Sequence, residues 1–229
     1  MRHVRRRDHM GAATQPIRDL GTVKRITQEI SHLKGTPRGR RAFLLWIVGV
    51  HMGMRISDIV DLKVGDLRKD YYTYLPHKQE GKRGARRITI PVPAEVRKVV
   101  RARCEGMADD DWLLASKKKR PTMKSDPARV PKFRERQVHP GAIGRNRARE
   151  DLRWAFDQCG FRDLPVSCHT LRKTFGYHYY KKTKDLAKLQ EWFYHESPAT
   201  TLIYIGIQAE EFQKMVNDSP FGDMDGVEL

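Results

Sequence analysis

Metal-free opening of a phosphodiester needs a hydroxyl nucleophile, strong cations and a proton carrier at one phosphorus. This chain gathers those residue types in one stretch. His169-Thr170-Leu171-Arg172 is followed by His195, and Tyr204 stands nine positions after that histidine. A tyrosine hydroxyl can attack phosphorus. Arginine and histidine can hold the extra negative charge on the non-bridging oxygens of the pentavalent transition state. Taken alone, Tyr204 between Ile203 and Ile205 reads as a half-buried aromatic, and a lone histidine is more often structural than catalytic. His195 at this interval turns the reading toward a nucleophile.

Charge names the class of substrate. Across 229 residues there are 45 Lys and Arg against 28 Asp and Glu, a formal charge of +17 that calls for an anionic partner. Nucleic acid is the natural polymer for phosphodiester chemistry, although a ribosomal-type protein or a generic basic surface carries the same charge. With 39% hydrophobic residues the chain can build a true core, and its length fits one domain, or one domain with ragged ends. The three cysteines, Cys104, Cys159 and Cys168, are odd in number and lack CxxC spacing, so neither a disulfide framework nor a cysteine zinc site is indicated. They are compatible with a reducing cytosol, and a cytoplasmic, nucleoid-associated bacterial protein is expected. No apolar run approaches the roughly 18 residues of a membrane span. The basic N-terminus, Met1 to Arg7, has no apolar core behind it and is not a secretory signal; it is either a DNA-tracking arm or a disordered leader.

The elements that must position these residues are mostly helical. Val23, Ile26, Ile30 and Leu33 predict a helix stopped by Gly35-Thr36-Pro37. Arg41 to about Met52 is a strongly apolar helix that must lie in the core. Gly53-Met54 turns the chain into Arg55, and Ser57 or Asp58 is expected to cap a short helix over Ile59 to Leu62. Tyr72 to Leu75 and Arg87 to Ile90 read as two strands joined through Gly81-Lys82-Arg83-Gly84, with Pro91 and Pro93 ending the second. Ala94 to Arg103 returns to a helix. Residues 116–142 are a basic, proline-containing surface loop. Asn146 to Gly160, a segment opened by His169, and Asp185 to Phe193 complete the helices, and the end of the chain forms a short helix around Phe212 and Met215 before an acidic tail.

Three boxes in this sequence resemble those of the tyrosine recombinases, the phage integrase family. Gly53-Met54-Arg55-Ile56-Ser57-Asp58 is similar to the first arginine box, His169-Thr170-Leu171-Arg172-Lys173-Thr174-Phe175 to the second, and His195 through Tyr204 to the third. They occur in the family's order, and the resemblance runs from about Pro16 to about Gln208. It implies a mainly helical α+β catalytic domain with a small antiparallel sheet over 16–208. A leader would precede it over 1–15, and a C-terminal helix and acidic tail over 209–229 would follow, contacting a neighbouring subunit or docking on its own domain.

The resemblance also implies roles. Tyr204 would attack to give a 3′-phosphotyrosyl link and a free 5′-hydroxyl, storing the bond energy for rejoining without ATP. Arg55 and Arg172 would clamp the scissile phosphate with paired donors. His169 and His195 would donate to phosphate oxygens or help proton transfer. A lysine on a β-hairpin would protonate the leaving oxygen; Lys78 matches the usual turn, with Lys82 as the alternative. Asp58 would orient its neighbours rather than act as acid or base, while His178 reads as structural. No cofactor or metal is implied. Double-stranded DNA is the implied partner, with assembly into a tetrameric synapse on DNA and accessory DNA-bending proteins as further partners. Family members carry a helical core-binding domain before the catalytic domain, and the residues before Pro16 are too few for one, so weak DNA binding and little unaided recombination are expected. Two rival readings are a type IB topoisomerase-like nicking and closing enzyme and a non-catalytic DNA-binding accessory protein.

Overall fold

Helix α2 (Pro37–Met52) is the axis of the fold, and its sequence explains why. Phe43 to Val48 are apolar on every side, so no face of the helix can be left to water, and all six are buried. The helix starts four residues before the expected Arg41. Pro37, read above as a stop, serves as its first residue, while the Thr36 hydroxyl accepts from the Gly39 N–H at 3.0 Å. The computed structural model describes residues 14–116, 141–207, 214 and 216–218.

Around α2 pack α1 (Leu20–Ser31), α4 (Ala94–Arg103) and α5 (Arg145–Gln158). Helix α1 presents Ile26 and Ile30, and its Thr27 hydroxyl accepts from the Trp46 indole at 2.8 Å. Helix α5 is fixed by a buried carboxylate. Asp151 receives Arg41 Nε at 2.8 Å, Arg38 Nε at 2.9 Å and Arg147 Nε at 3.1 Å, so its charge is fully paired in the interior.

Strands β1 (Tyr71–Tyr74) and β2 (Ile88–Pro91) form an antiparallel pair with Tyr71 opposite Pro91 and Tyr74 opposite Ile88. Each lies one residue from its expected place. Residues 75–87 connect them. The two ends of the basic stretch meet, since Ser116 N–H donates to the Gly141 carbonyl at 2.7 Å. The interior of that stretch, most of the leader, and Ala209, Phe212 and Met215 of the expected C-terminal helix lie outside the described residues.

The C-terminal half stacks α6 (Cys168–Thr183), α7 (Leu186–Phe193) and α8 (Pro198–Ile205) around a second apolar cluster of Tyr177, Tyr180, Leu189, Phe193 and Ile205. Local signals begin each helix. Ser167 and Thr170 form a capping box for α6, Asp185 accepts from Lys188 N–H at 2.8 Å for α7, and Ser197 accepts from Thr200 N–H at 3.1 Å for α8. Gly176 lets the three come together: a Cβ there would stand 2.7 Å from Ile205 and 2.8 Å from Phe193. His178 is structural, its Nε2 lying 2.9 Å from the Ile17 carbonyl. The mainly helical fold with a small antiparallel sheet is the one expected. Among the described residues no helix is long and apolar enough to cross a membrane.

Candidate active site

Helix α2 ends at Gly53, which adopts the left-handed region with φ 59°; a Cβ there would lie 2.2 Å from the Phe175 ring. The turn delivers Arg55 in an extended conformation at the N-cap of α3 (Ile56–Ile59). The expected helix over Ile59 to Leu62, capped by Ser57 or Asp58, is therefore corrected. Helix α3 begins at Ile56 and Ser57 and Asp58 are buried inside it. Asp58 Oδ1 instead accepts from the His77 backbone N–H at 3.0 Å. A tertiary partner has replaced the local cap.

Arg55 and Arg172 meet on one atom. Arg55 donates to the Phe193 carbonyl at 2.8 Å, and Arg172 donates to the same carbonyl at 3.1 Å and to Gly53 O at 2.5 Å. Phe193 is the last residue of α7, so its carbonyl belongs to the unpaired, partly negative end of a helix. Arg172 also lies 4.0 Å from the Phe193 ring centroid and is only 2% exposed. Burial, and then the charge of Arg55, push its pKa down to about 10. Two cations held this close, one buried and the other partly open to the cleft, are poised for an anion that enters from solvent.

Tyr204 sits on α8 beside this pair. Its ring packs edge-on against His195 at 5.0 Å and Phe193 at 5.5 Å, and Lys173 Nζ stands 5.2 Å from its centroid. The phenol oxygen is 3.3 Å from His169 Nδ1. Burial raises the Tyr204 pKa, while Arg172 and Arg55 pull it back. His169 is lowered by burial and by Arg172, Lys173 and Arg55, so it is neutral at pH 7 and able to accept a proton. His195 falls further, to about 4, through burial first and then the charges of Arg172, Arg55 and Lys78. Its Nδ1 lies 3.1 Å from the Thr201 hydroxyl, which itself stands 3.3 Å from Ser197 O.

Lys78 lines a cleft of about 310 Å³ together with Arg55, His169 and Arg172. Lys82 lines an adjoining cleft of about 560 Å³ with Lys78 and His195. The residue before Lys78 is held from two sides, since His77 pairs with Asp61 through its ring and with Asp58 through its backbone. Burial raises the pKa of Asp58, opposed by the His77 N–H and by the charges of His77, Arg55 and Arg172. Four of the six candidates, Arg55, Lys78, His169 and Arg172, thus line one cleft, His195 lines the adjoining one, and Tyr204 lies against His169 and His195.

Sequence reasoning missed Arg145 and Thr201. Arg145 opens α5 and lines the cleft beside Arg55; its only signal was a basic run at the end of a loop. Thr201 is fully buried against His195, six residues from it in sequence. The anchoring carbonyl of Phe193 had no signal in residue type at all, because every residue carries a carbonyl.

Known proteins place this chain in a family. The sequence profile described as the phage integrase family matches residues 21–211. The probable integrase/recombinase YoeC of Bacillus subtilis is 32% identical over 86% of this chain and 91% of its own length. A crystal structure of XerA recombinase superposes with a TM-score of 0.60 at 18% identity, over 90% of this chain and 65% of that one. The XerH site-specific recombinase bound to difH substrate gives 0.56 at 19% identity, over 92% of this chain and 56% of that one. The chain spans less than two thirds of both solved proteins. At these identities the two structures speak for the fold alone, whereas the profile extends over the residues that build the site and the Bacillus subtilis relative matches most of both chains, and on that ground the chain belongs to the phage integrase family of tyrosine recombinases.

Proposed function

We propose that this protein cleaves and rejoins double-stranded DNA at specific sites by transesterification through Tyr204, in the service of a phage or mobile element. The observation that carries the reading is the placement of the Tyr204 hydroxyl, 3.3 Å from His169 Nδ1 and beside two arginines that share one carbonyl. Tyr204 Oη attacks the scissile phosphorus and passes its proton to His169. The bond from phosphorus to the 5′-oxygen breaks, and Lys78 gives that oxygen its proton. Arg55, Arg172 and His195 hold the charge on the non-bridging oxygens. The resulting 3′-phosphotyrosyl bond keeps the energy of the original linkage, and a 5′-hydroxyl reverses the steps to rejoin. The charge of +17 supports DNA as the partner, as does the XerH neighbour solved on its own substrate. Strand exchange would take place in a tetrameric assembly on DNA.

A substrate nicked near the cleavage point lets the leaving strand diffuse away and traps the covalent adduct. The wild-type protein should give a denaturant-resistant gel shift on such DNA carrying the element's own site. Tyr204→Phe should bind as well and give none. An adduct formed by the Phe variant would move the nucleophile to Tyr194 or Tyr180 and overturn the assignment.

A further inference from the structure

Tyr194 combines an uncommon backbone with a long-range bond. It ends α7 in the left-handed region, with φ 49° and ψ 48°, where side chains other than glycine are seldom found. Its hydroxyl donates to the Arg86 carbonyl at 2.7 Å, across 108 residues of sequence. Arg86 lies in the 75–87 connection between β1 and β2. Backbone bonds inside that connection are short turns, from Gln79 N to Pro76 O, Lys82 N to Gln79 O and Ala85 N to Lys82 O. Such turns shape a loop locally and do not fix it on the domain. The near leg is fixed by His77 on Asp58 and Asp61, and the far leg by Tyr194 on Arg86. Lys78 and Lys82 lie between the two ties, in the cleft that Tyr194 and His195 also line.

We propose that Tyr194 is a positioning residue, a latch that holds the lysine-bearing loop over the site and ties its placement to that of His195, the next residue in the chain. The strained conformation at 194 aims the ring out of α7 toward the hairpin, and the hydroxyl closes the gap. This rests on the reading of Lys78 as the group that protonates the leaving oxygen. Without the latch the loop opens more often, and Lys78 spends less time in reach of that oxygen.

Tyr194→Phe removes only the hydroxyl and keeps the ring. One hydrogen bond of ordinary net worth corresponds to a threefold to tenfold change, about the size expected here. Amide exchange over residues 79–87 should quicken by about that factor, with the melting temperature unchanged. Cleavage of a nicked DNA substrate should slow by a similar factor. A matching substrate with a 5′-bridging phosphorothiolate, whose sulfur leaves without protonation, should be cut at nearly the wild-type rate. Tyr194→Gly, which relaxes the backbone and deletes the latch, should slow ordinary cleavage more and show the same rescue without a lower melting temperature. Lys78→Ala on the same two substrates is the reference.

Unchanged exchange in Tyr194→Phe overturns the latch, whatever Lys78 does. Faster exchange with both substrates slowed alike, or neither slowed, overturns the positioning role. If sulfur fails to rescue Lys78→Ala, the general-acid reading falls by its own measurement and the positioning role falls with it, while the exchange result still decides whether the latch exists.

Discussion

Arg172→Met asks whether a buried charge is held for the fold or for the phosphate. Methionine fills most of the volume of the arginine stem and brings no charge. In the folded chain the guanidinium is 2% exposed and stands beside Arg55. Burial and that neighbour push its pKa to about 10, against an ordinary value near ~12.5. At about 1.4 kcal/mol per tenfold change, the fold holds the charge at a cost of about 3 kcal/mol relative to a neutral side chain. Methionine escapes that cost but gives up the donors to Gly53 O and Phe193 O and the contact on the Phe193 ring. Arg55 still serves the Phe193 carbonyl at 2.8 Å, so Gly53 O bears the main loss, about 1–3 kcal/mol. The ring contact adds about 1–2 kcal/mol in a dry setting. Gain and loss are of similar size, and the variant should melt within about 8 °C of the parent, following the scaling of about 2–4 °C per kcal/mol for a domain of this length. Covalent capture of nicked DNA should fall by at least about 100-fold, the scale of losing one transition-state donor. A melting temperature lower by more than about 10 °C would show Arg172 to be chiefly a structural cross-link. Capture within tenfold of the parent would refute the phosphate clamp.

Three other outcomes follow from the site. Lys78→Ala should slow cleavage of ordinary DNA and spare the 5′-bridging phosphorothiolate substrate; if Lys82→Ala shows this rescue and Lys78→Ala does not, the two lysines exchange roles. Cleavage should proceed undiminished in EDTA, because Arg55 and Arg172 supply the stabilising charge and His195 a further hydrogen-bond donor, and strict magnesium dependence of the chemical step sinks that mechanism. His169 must be neutral to take the Tyr204 proton, and burial with three nearby cations holds its pKa below the usual 6.5. The kcat/KM for covalent capture should therefore stay level as pH falls to about 6.5 and decline only below it. An acid limb centred above pH 7 argues against His169 as the base.

Much of this protein is written locally. Ala94–Arg103 was legible to the residue, because Pro93 precedes it and its apolar positions recur at helical spacing. The start of α6 and both ends of α7 were found within a residue, and the left-handed glycines at 81 and 84 mark the turn that their sequence context predicts. The residue types of the candidate site, their order and the nine-residue interval from His195 to Tyr204 all stood in the sequence, since chemistry is carried by side chains that can be read one at a time. The start of α2 and the cap of α3 were misread. Pro37 both stops one segment and begins the next, and Asp58 was drawn away from its own helix by the backbone of His77.

What the tertiary structure alone decided is where charge and protons reside. Arg55 and Arg172 reach the Phe193 carbonyl across 138 and 21 residues, and Arg172 reaches Gly53 across 119. No local period encodes a meeting between a side chain and a distant peptide oxygen. Burial and the charges of the two arginines lower the pKa of His169 and His195, and the fold places Lys78 but not Lys82 in the cleft with both arginines and brings the Tyr204 hydroxyl to 3.3 Å from His169 Nδ1. Desolvation depends on every atom packed around a group, so it is a property of the assembled fold and not of any stretch of chain.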